Sequence, residues 1–404
     1  MRLQHALSML GRLCLASGVS AAGPHILWAQ KGDTLVSRWL APGVEYRQFS
    51  DKTGPWRANL VRINLRVAAV EFRPARASDA LRGREKITAM VKRATDNGAT
   101  VLAAVNADFF ELKLGENENN QVINGEWWKG LKVTDSPYDT YDNVHIQFGV
   151  DADQHVLMDR FILDGKFWAR GAMTPIVTVN AIPSGTVEGT TLFTSRYGAR
   201  TPLDTARKST EAAVLIAGRR GDTLLYVRRG AISAANGSAI PENGAVLSAY
   251  GARAEAVKVL AEGDTVKVLL ATVPRIKHGA TPSTLIGGWP RILQNGMNVA
   301  SEAATIEGTV SRNAEARHPR SAIGFSRDSS RVYLLTVDGR SENSGGATLI
   351  ELAGLLRKLG AWDAMNFDGG GSTTMVVGGK VVNVPSDAEG ERAIGNALMV
   401  VKRK

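Results

Sequence analysis

Between residues 35 and 72 apolar and polar side chains alternate with a period of two, the signature of half-buried strands. Val44-Glu45-Tyr46-Arg47-Gln48-Phe49 is one such run, and residues 59–70 form another. The period then lengthens. Ile87, Met90, Val91 and Ala94 fall on one face of a helix predicted over residues 85–95, which Gly98 closes. Residues 101–105 (Val-Leu-Ala-Ala-Val) follow as a wholly apolar strand, and residues 111–145 read as a long polar excursion or lid. Alternation returns over residues 146–200 and 212–274, punctuated by glycine turns. In the last third, residues 332–337 form a buried strand and residues 348–359 a helix with Leu352, Leu355, Leu356 and Leu359 as its apolar stripe. Gly360 caps that helix, residues 364–367 are the next strand, and Gly378-Gly379 turns a hairpin.

Strand, helix, strand in that order predicts a βαβ unit whose parallel strands end on one edge of a sheet. Asp338 directly follows the first of these strands and Asp368 the second. The earlier helix and strand repeat the arrangement and lead into Asn106-Ala107-Asp108. Three carboxylates are therefore expected on one rim, where open sheets place ligand sites. Paired carboxylates are the equipment for glycosyl transfer to water, and the same oxygens could hold a divalent cation. Alternatively each Asp caps its turn, as in Asp338-Gly339 and Asp368-Gly369.

Gly369-Gly370-Gly371 beside Asp368 suggests backbone amides that approach an anion closely. In Arg317-His318-Pro319-Arg320 a guanidinium could hold a phosphate bidentately. Trp289, in Gly287-Gly288-Trp289-Pro290, is an aromatic that could stack on a sugar or simply fill a turn. Glu351 completes a capping box with Thr348 and is assigned to the helix start.

Composition narrows these options. The 404-residue chain is 44% hydrophobic, enough for a sizeable core. Its formal net charge of +10 is scattered without a basic run, so nucleic acid is not an expected partner, whereas anionic glycopolymers are. The single cysteine, Cys14, excludes an internal disulfide framework, and the six histidines show no HExxH or other ligand spacing. Neither a GxSxG elbow nor a P-loop occurs. Residues 1–30 contain no acidic residue, carry Arg2 and Arg12, and include a stretch of apolar and small residues, the pattern of a secretory signal peptide. No later run of about 18 apolar residues suggests a transmembrane anchor. An exported (periplasmic or secreted) bacterial protein is expected.

Several of these pieces recur together and in order. They are Asn106-Ala107-Asp108-Phe109-Phe110, Ile286-Gly287-Gly288-Trp289-Pro290-Arg291, Arg317 to Gly324, Val337-Asp338-Gly339-Arg340, Glu351-Leu352-Ala353, Asn366 to Met375 and Gly390-Glu391-Arg392. The series resembles the phosphodiester glycosidase family over residues 85–401, with a weaker echo from Pro42. The resemblance implies hydrolysis of a sugar-1-phosphodiester at its glycosidic bond, releasing free sugar and a phosphomonoester. By position, Asn106, Asp108, Arg320, Asp338, Asp368 and Ser372 would line the site.

The expected catalytic residues are thus Asp338, Asp368 and Asp108, with Asn106, Arg320, Gly369, Gly370, Gly371 and Ser372 binding substrate or phosphate. No organic cofactor is implied, and a divalent cation at the aspartates is left open. The expected fold is α+β: a sheet-rich single catalytic domain, with βαβ units in its C-terminal third and a β-rich N-terminal region. The expected divisions are a signal peptide over residues 1–30, the β-rich region over 31–84 and the glycosidase-like domain over 85–404. The competing reading is a non-catalytic binding module for anionic cell-envelope polysaccharide. A metal-dependent phosphodiesterase, which would release sugar phosphate instead, is disfavoured by the missing histidine spacing.

Overall fold

In a computed structural model, the structure describes residues 33–403 except 53, 55, 133–144, 184–187, 204–207 and 309–314. The expected signal peptide, with Cys14, and residues 133–144 of the polar excursion lie outside the described residues; the earlier part of that excursion holds the strands Gln121–Ile123 and Glu126–Lys129. Strands dominate what is described (48% strand against 13% helix), so the expected α+β class with βαβ units is corrected to a mainly β architecture. Three open sheets and one closed barrel account for the strands.

The largest sheet has eight strands and is antiparallel throughout. It runs Asp33–Ala41, Val44–Asp51, Trp56–Asn64, Arg331–Val337, Arg320–Phe325, Asp363–Asn366, Arg291–Gln294, Met297–Asn298. The physical reason for the failed βαβ reading is visible here. Arg331–Val337 and Asp363–Asn366 do run the same way, with helix Leu349–Leu359 between them in sequence. Arg320–Phe325 lies between the two strands and pairs antiparallel with both. It is joined to Arg331–Val337 by a short turn, so local hairpin pairing precludes a parallel ladder. The shared edge survives nonetheless: the start of Arg320–Phe325 lies beside the ends of its two neighbours.

A five-stranded sheet (Lys380–Val381, Met375–Val377, Thr100–Asn106, Asn396–Lys402, Val70–Arg76) packs against the first over a common core that includes Ile63, Phe72, Val105, Leu334, Met365 and Leu398. Gly378 (φ 59°) and Gly379 (φ 77°) make its hairpin turn, with both central residues left-handed as a tight hairpin requires. The strands over residues 162–273 close into a seven-stranded barrel when Ile162–Ala169 pairs with Thr265–Val273. The third open sheet, which includes Gln147–Val150 and Thr284–Gly287, flanks the barrel entry and exit in sequence. It adds Val122, Trp127 and Leu285 to the barrel core.

The two long helices cover outer sheet faces. Ile87–Asp96 lays Ile87, Met90 and Val91 on Ala104, Met399 and Val401 of the five-stranded sheet. Leu349–Leu359 buries Leu352, Leu355 and Leu356 against Leu60, Leu335 and Val337 of the large one. Its start is held by the expected capping box: the Glu351 amide donates to Thr348 Oγ1 (3.1 Å) and the Thr348 amide to Glu351 Oε2 (2.9 Å). Gly360, at φ 103°, ends it in the left-handed region. Thr348→Ala is expected to lower the unfolding free energy by about 1 kcal/mol in urea titration, and an unchanged midpoint would show that the cap is redundant.

Candidate active site

A cleft of about 230 Å³ opens at the shared strand edge, lined by Arg320, Arg340, Arg392, Asp368 and Gly369–Gly371 together with His318, Trp289 and Phe109 among others. The chain reaches it from both main sheets. Strand Asp363–Asn366 runs out through Phe367, whose amide donates to Ser321 O (2.8 Å), into Asp368, whose amide donates to Ala107 O (2.8 Å). Asn106, at the end of the facing sheet's strand, clamps this turn. Its Nδ2 donates to the Asp368 carbonyl (2.6 Å), while its Oδ1 accepts from Ser321 Oγ (2.6 Å) and the Thr374 amide (3.1 Å). Asn106 is 1% exposed, so it acts by fixing the backbone of Asp368.

Asp368 is the carboxylate that lines the cleft. Burial pushes its pKa up to about 6, against the lowering effects of the Ser372 hydroxyl, the Gly369 amide and the Arg392 charge; Asp108 nearby raises it further. The Gly369 amide donates to Asp368 Oδ1 (2.8 Å) and the Gly370 amide to Pro319 O (2.9 Å). Two of the three glycine amides are therefore already engaged. The glycines instead permit close approach: Gly370 sits at φ 60°, and a Cβ on Gly371 would collide with the Arg392–Asp387 pair.

Positive charge in the cleft comes chiefly from guanidinium groups. Arg320, 5% exposed, donates Nε to Ala347 O and Nη2 to Ala316 O (both 3.0 Å), which fixes its plane. Burial and the neighbouring Arg340 pull its pKa down to about 10, so it stays charged at neutral pH. Arg392 is forked onto Asp387 through Nε (2.6 Å) and Nη2 (2.9 Å), leaving Nη1 3.5 Å from Ser372 Oγ. Arg340, left-handed at φ 59°, directs Nη2 to within 3.4 Å of His318 Nδ1. Because guanidinium only donates, Nδ1 accepts and the neutral imidazole carries its proton on Nε2. Burial, then Arg320 and Arg340, hold the His318 pKa below its ordinary value. Trp289, its indole donating to Glu307 O (3.1 Å), meets Phe109 edge-on at 5.5 Å and forms the aromatic wall.

The other two expected carboxylates share the rim without lining the cleft. Asp338, 1% exposed, accepts from the Val384 amide at Oδ1 (3.2 Å), and its Oδ2 is buried with no partner among the described residues. Burial raises its pKa to about 6, against the lowering effects of the Val384 amide, Arg57 and Asn383. Its carbonyl accepts from Ser344 Oγ (2.5 Å), so it anchors the turn that presents Arg340. Asp108 accepts from Asn119 Nδ2 (2.6 Å), the Asn119 amide (3.0 Å) and Asn117 Nδ2 (3.1 Å), filling both oxygens. Burial raises its pKa. Ser372 is buried against Asp368. Sequence reasoning did not assign Arg340, Arg392 or His318 to the site. Their one signal was position, since each lies in a segment that carried the family resemblance.

Residues 215–401 match the sequence model of the family described as phosphodiester glycosidase. Over 110 residues the chain is 33% identical to N-acetylglucosamine-1-phosphodiester alpha-N-acetylglucosaminidase of Mus musculus, covering 26% of this chain and 21% of that one. Over 125 residues it is 35% identical to the SPbeta prophage-derived uncharacterized protein YomE of Bacillus subtilis (strain 168), covering 31% and 18%. The chain thus spans about a fifth of the length of these relatives. A solved structure of a hypothetical protein from Synechocystis shares the fold, with a TM-score of 0.67 at 23% identity over 89% of this chain and 62% of that one. The likeness to the phosphodiester glycosidase family thus lies over residues 215–401, a little under half of this chain.

Proposed function

We propose that the protein hydrolyses the glycosidic bond of a sugar-1-phosphodiester, releasing free sugar and a phosphomonoester. The observation that carries this is the gathering of Arg320, Arg340 and Arg392 around Asp368, the single cleft carboxylate among the described residues. Three guanidiniums suit a phosphodiester anion, and a carboxylate among them suits attack at the adjoining anomeric carbon. The sugar ring is placed against Trp289 and Phe109, and the phosphodiester against the arginines.

As the bond from anomeric carbon to oxygen breaks, negative charge grows on the departing phosphate, where the fixed guanidiniums stabilise it. A phosphodiester leaves readily, so one carboxylate suffices where most glycosidases need two. Ionised Asp368 either attacks the anomeric carbon, expelling the phosphomonoester and forming a glycosyl ester that water then hydrolyses, or takes a proton from water as the water attacks. Both routes release the sugar and the phosphomonoester and differ in the anomeric configuration of the sugar. Asn106, Ser372 and Asp338 are positioning residues in this scheme, holding the Asp368 turn and the Arg340 turn.

Product identification in ¹⁸O-labelled water tests the reading. Label is expected in the released sugar and not in the phosphomonoester, with turnover unchanged by chelator. Release of sugar phosphate would mean cleavage at phosphorus, and binding of an anionic glycopolymer without any release would favour the non-catalytic module.

A further inference from the structure

Outside the cleft, ligating side chains gather where the hairpin between Gln147–Val150 and Val156–Asp159 meets the segment that follows barrel strand Thr265–Val273. Asp151 Oδ1 closes the hairpin turn by accepting from the amides of Asp153 and His155, both at 2.9 Å. Its Oδ2 is thereby left facing His155 Nδ1 at 3.1 Å. From the other segment His278 stacks on His155, ring centroids 5.2 Å apart. His278 Nδ1 lies 2.7 Å from Asp153 Oδ2. Its Nε2 is buried and has no hydrogen-bond partner among the described residues. One ligand atom from each of Asp151, His155 and His278 lies within 4.8 Å of the other two.

We propose that Asp151, His155 and His278 bind a divalent transition-metal ion of the zinc class, clamping the hairpin to the barrel exit. Two ligands about 2.0–2.1 Å from a tetrahedral ion stand roughly 3.3 Å apart, close to the observed carboxylate–imidazole separation. Two imidazoles with one carboxylate favour zinc, nickel or copper over magnesium or calcium, which prefer all-oxygen shells. Asp153 supplies the outer contact typical of such sites. By accepting from Nδ1–H of His278 it fixes the tautomer and directs the Nε2 lone pair inward. Surface ion pairing alone accounts for Asp151–His155 and Asp153–His278 but not for the buried, unpartnered Nε2. His155 is the outer ligand, its side chain 61% exposed, which gives the ion a way in and leaves a fourth position for water. The two histidines are far apart in sequence, so no spacing motif announces them.

The test is zinc titration of the chelator-treated full chain by calorimetry, with Co²⁺ absorption as a spectroscopic check on geometry. One equivalent is expected to bind, to give a tetrahedral cobalt band, and to raise the thermal midpoint. His278→Ala and the surface variant His155→Gln are each expected to weaken binding at least about tenfold and to abolish that rise, while Asp368→Asn retains both. His155→Gln keeps the test decisive should His278→Ala fail to fold. Absence of stoichiometric binding, or binding unchanged in His155→Gln, would overturn the assignment.

Discussion

Asp368→Asn is expected to reduce release of free sugar from a sugar-1-phosphodiester by at least about 10²–10⁴-fold, the range carried by a positioned proton-transferring or nucleophilic group. The substitution is isosteric. Its amide oxygen can still accept from the Gly369 amide, and its backbone remains clamped by Asn106 and Ala107. The fold and the arginine cradle are therefore expected to persist, and substrate affinity with them, so the loss should fall on kcat. The pH profile gives a second reading of the same group. With its pKa pushed up to about 6, Asp368 is ionised and competent above that value, and kcat/KM of the parent should fall as the medium is acidified through it. Turnover at the parent rate in the variant would remove Asp368 from the reaction.

Asp338→Asn should act on stability in a pH-dependent way. The ordinary value of its carboxyl is 3.8, and burial raises it to about 6 in the folded protein. Below the lower value it is protonated in both states and burial carries no charge penalty. Between the two values the unfolded chain gives up its proton while the folded chain keeps it, so the folded state loses ground as pH rises through about 6. A difference of about two units corresponds to about 3 kcal/mol. Asparagine has no charge to bury. The stability of the variant relative to the parent is thus expected to grow by up to about 3 kcal/mol between pH 4 and pH 8. Urea titrations across that range measure it, and a difference that stays flat with pH would mean that Asp338 does not titrate with folding.

How far the sequence led can be argued from these same residues. Asp368, Arg320 and the triple glycine were legible because strand-end chemistry is local: an apolar run, then a carboxylate, then residues that permit tight turns. Both long helices were legible from their stripes, and Thr348 with Glu351 from their spacing. Pairing was not legible. Apolar runs identify residues 332–337 and 364–367 as strands but do not say that Arg320–Phe325 lies between them. Barrel closure across residues 162–273 is likewise a matter of distant register. The roles of Asp108 and Asp338 turned on distant partners such as the Asn119 and Val384 amides that no spacing foretells. Arg392 escaped because its orientation depends on the fork with Asp387.

The Asn106 clamp carries a consequence for how competence is gained and lost. It bolts a residue of one sheet to the turn that follows a strand of another, so neither half holds the Asp368 carboxylate in place by itself. Mild denaturation that merely loosens the seam between these layers should silence the protein while circular dichroism still reports intact strands. Newly synthesised chains would correspondingly switch on only at the last step of assembly.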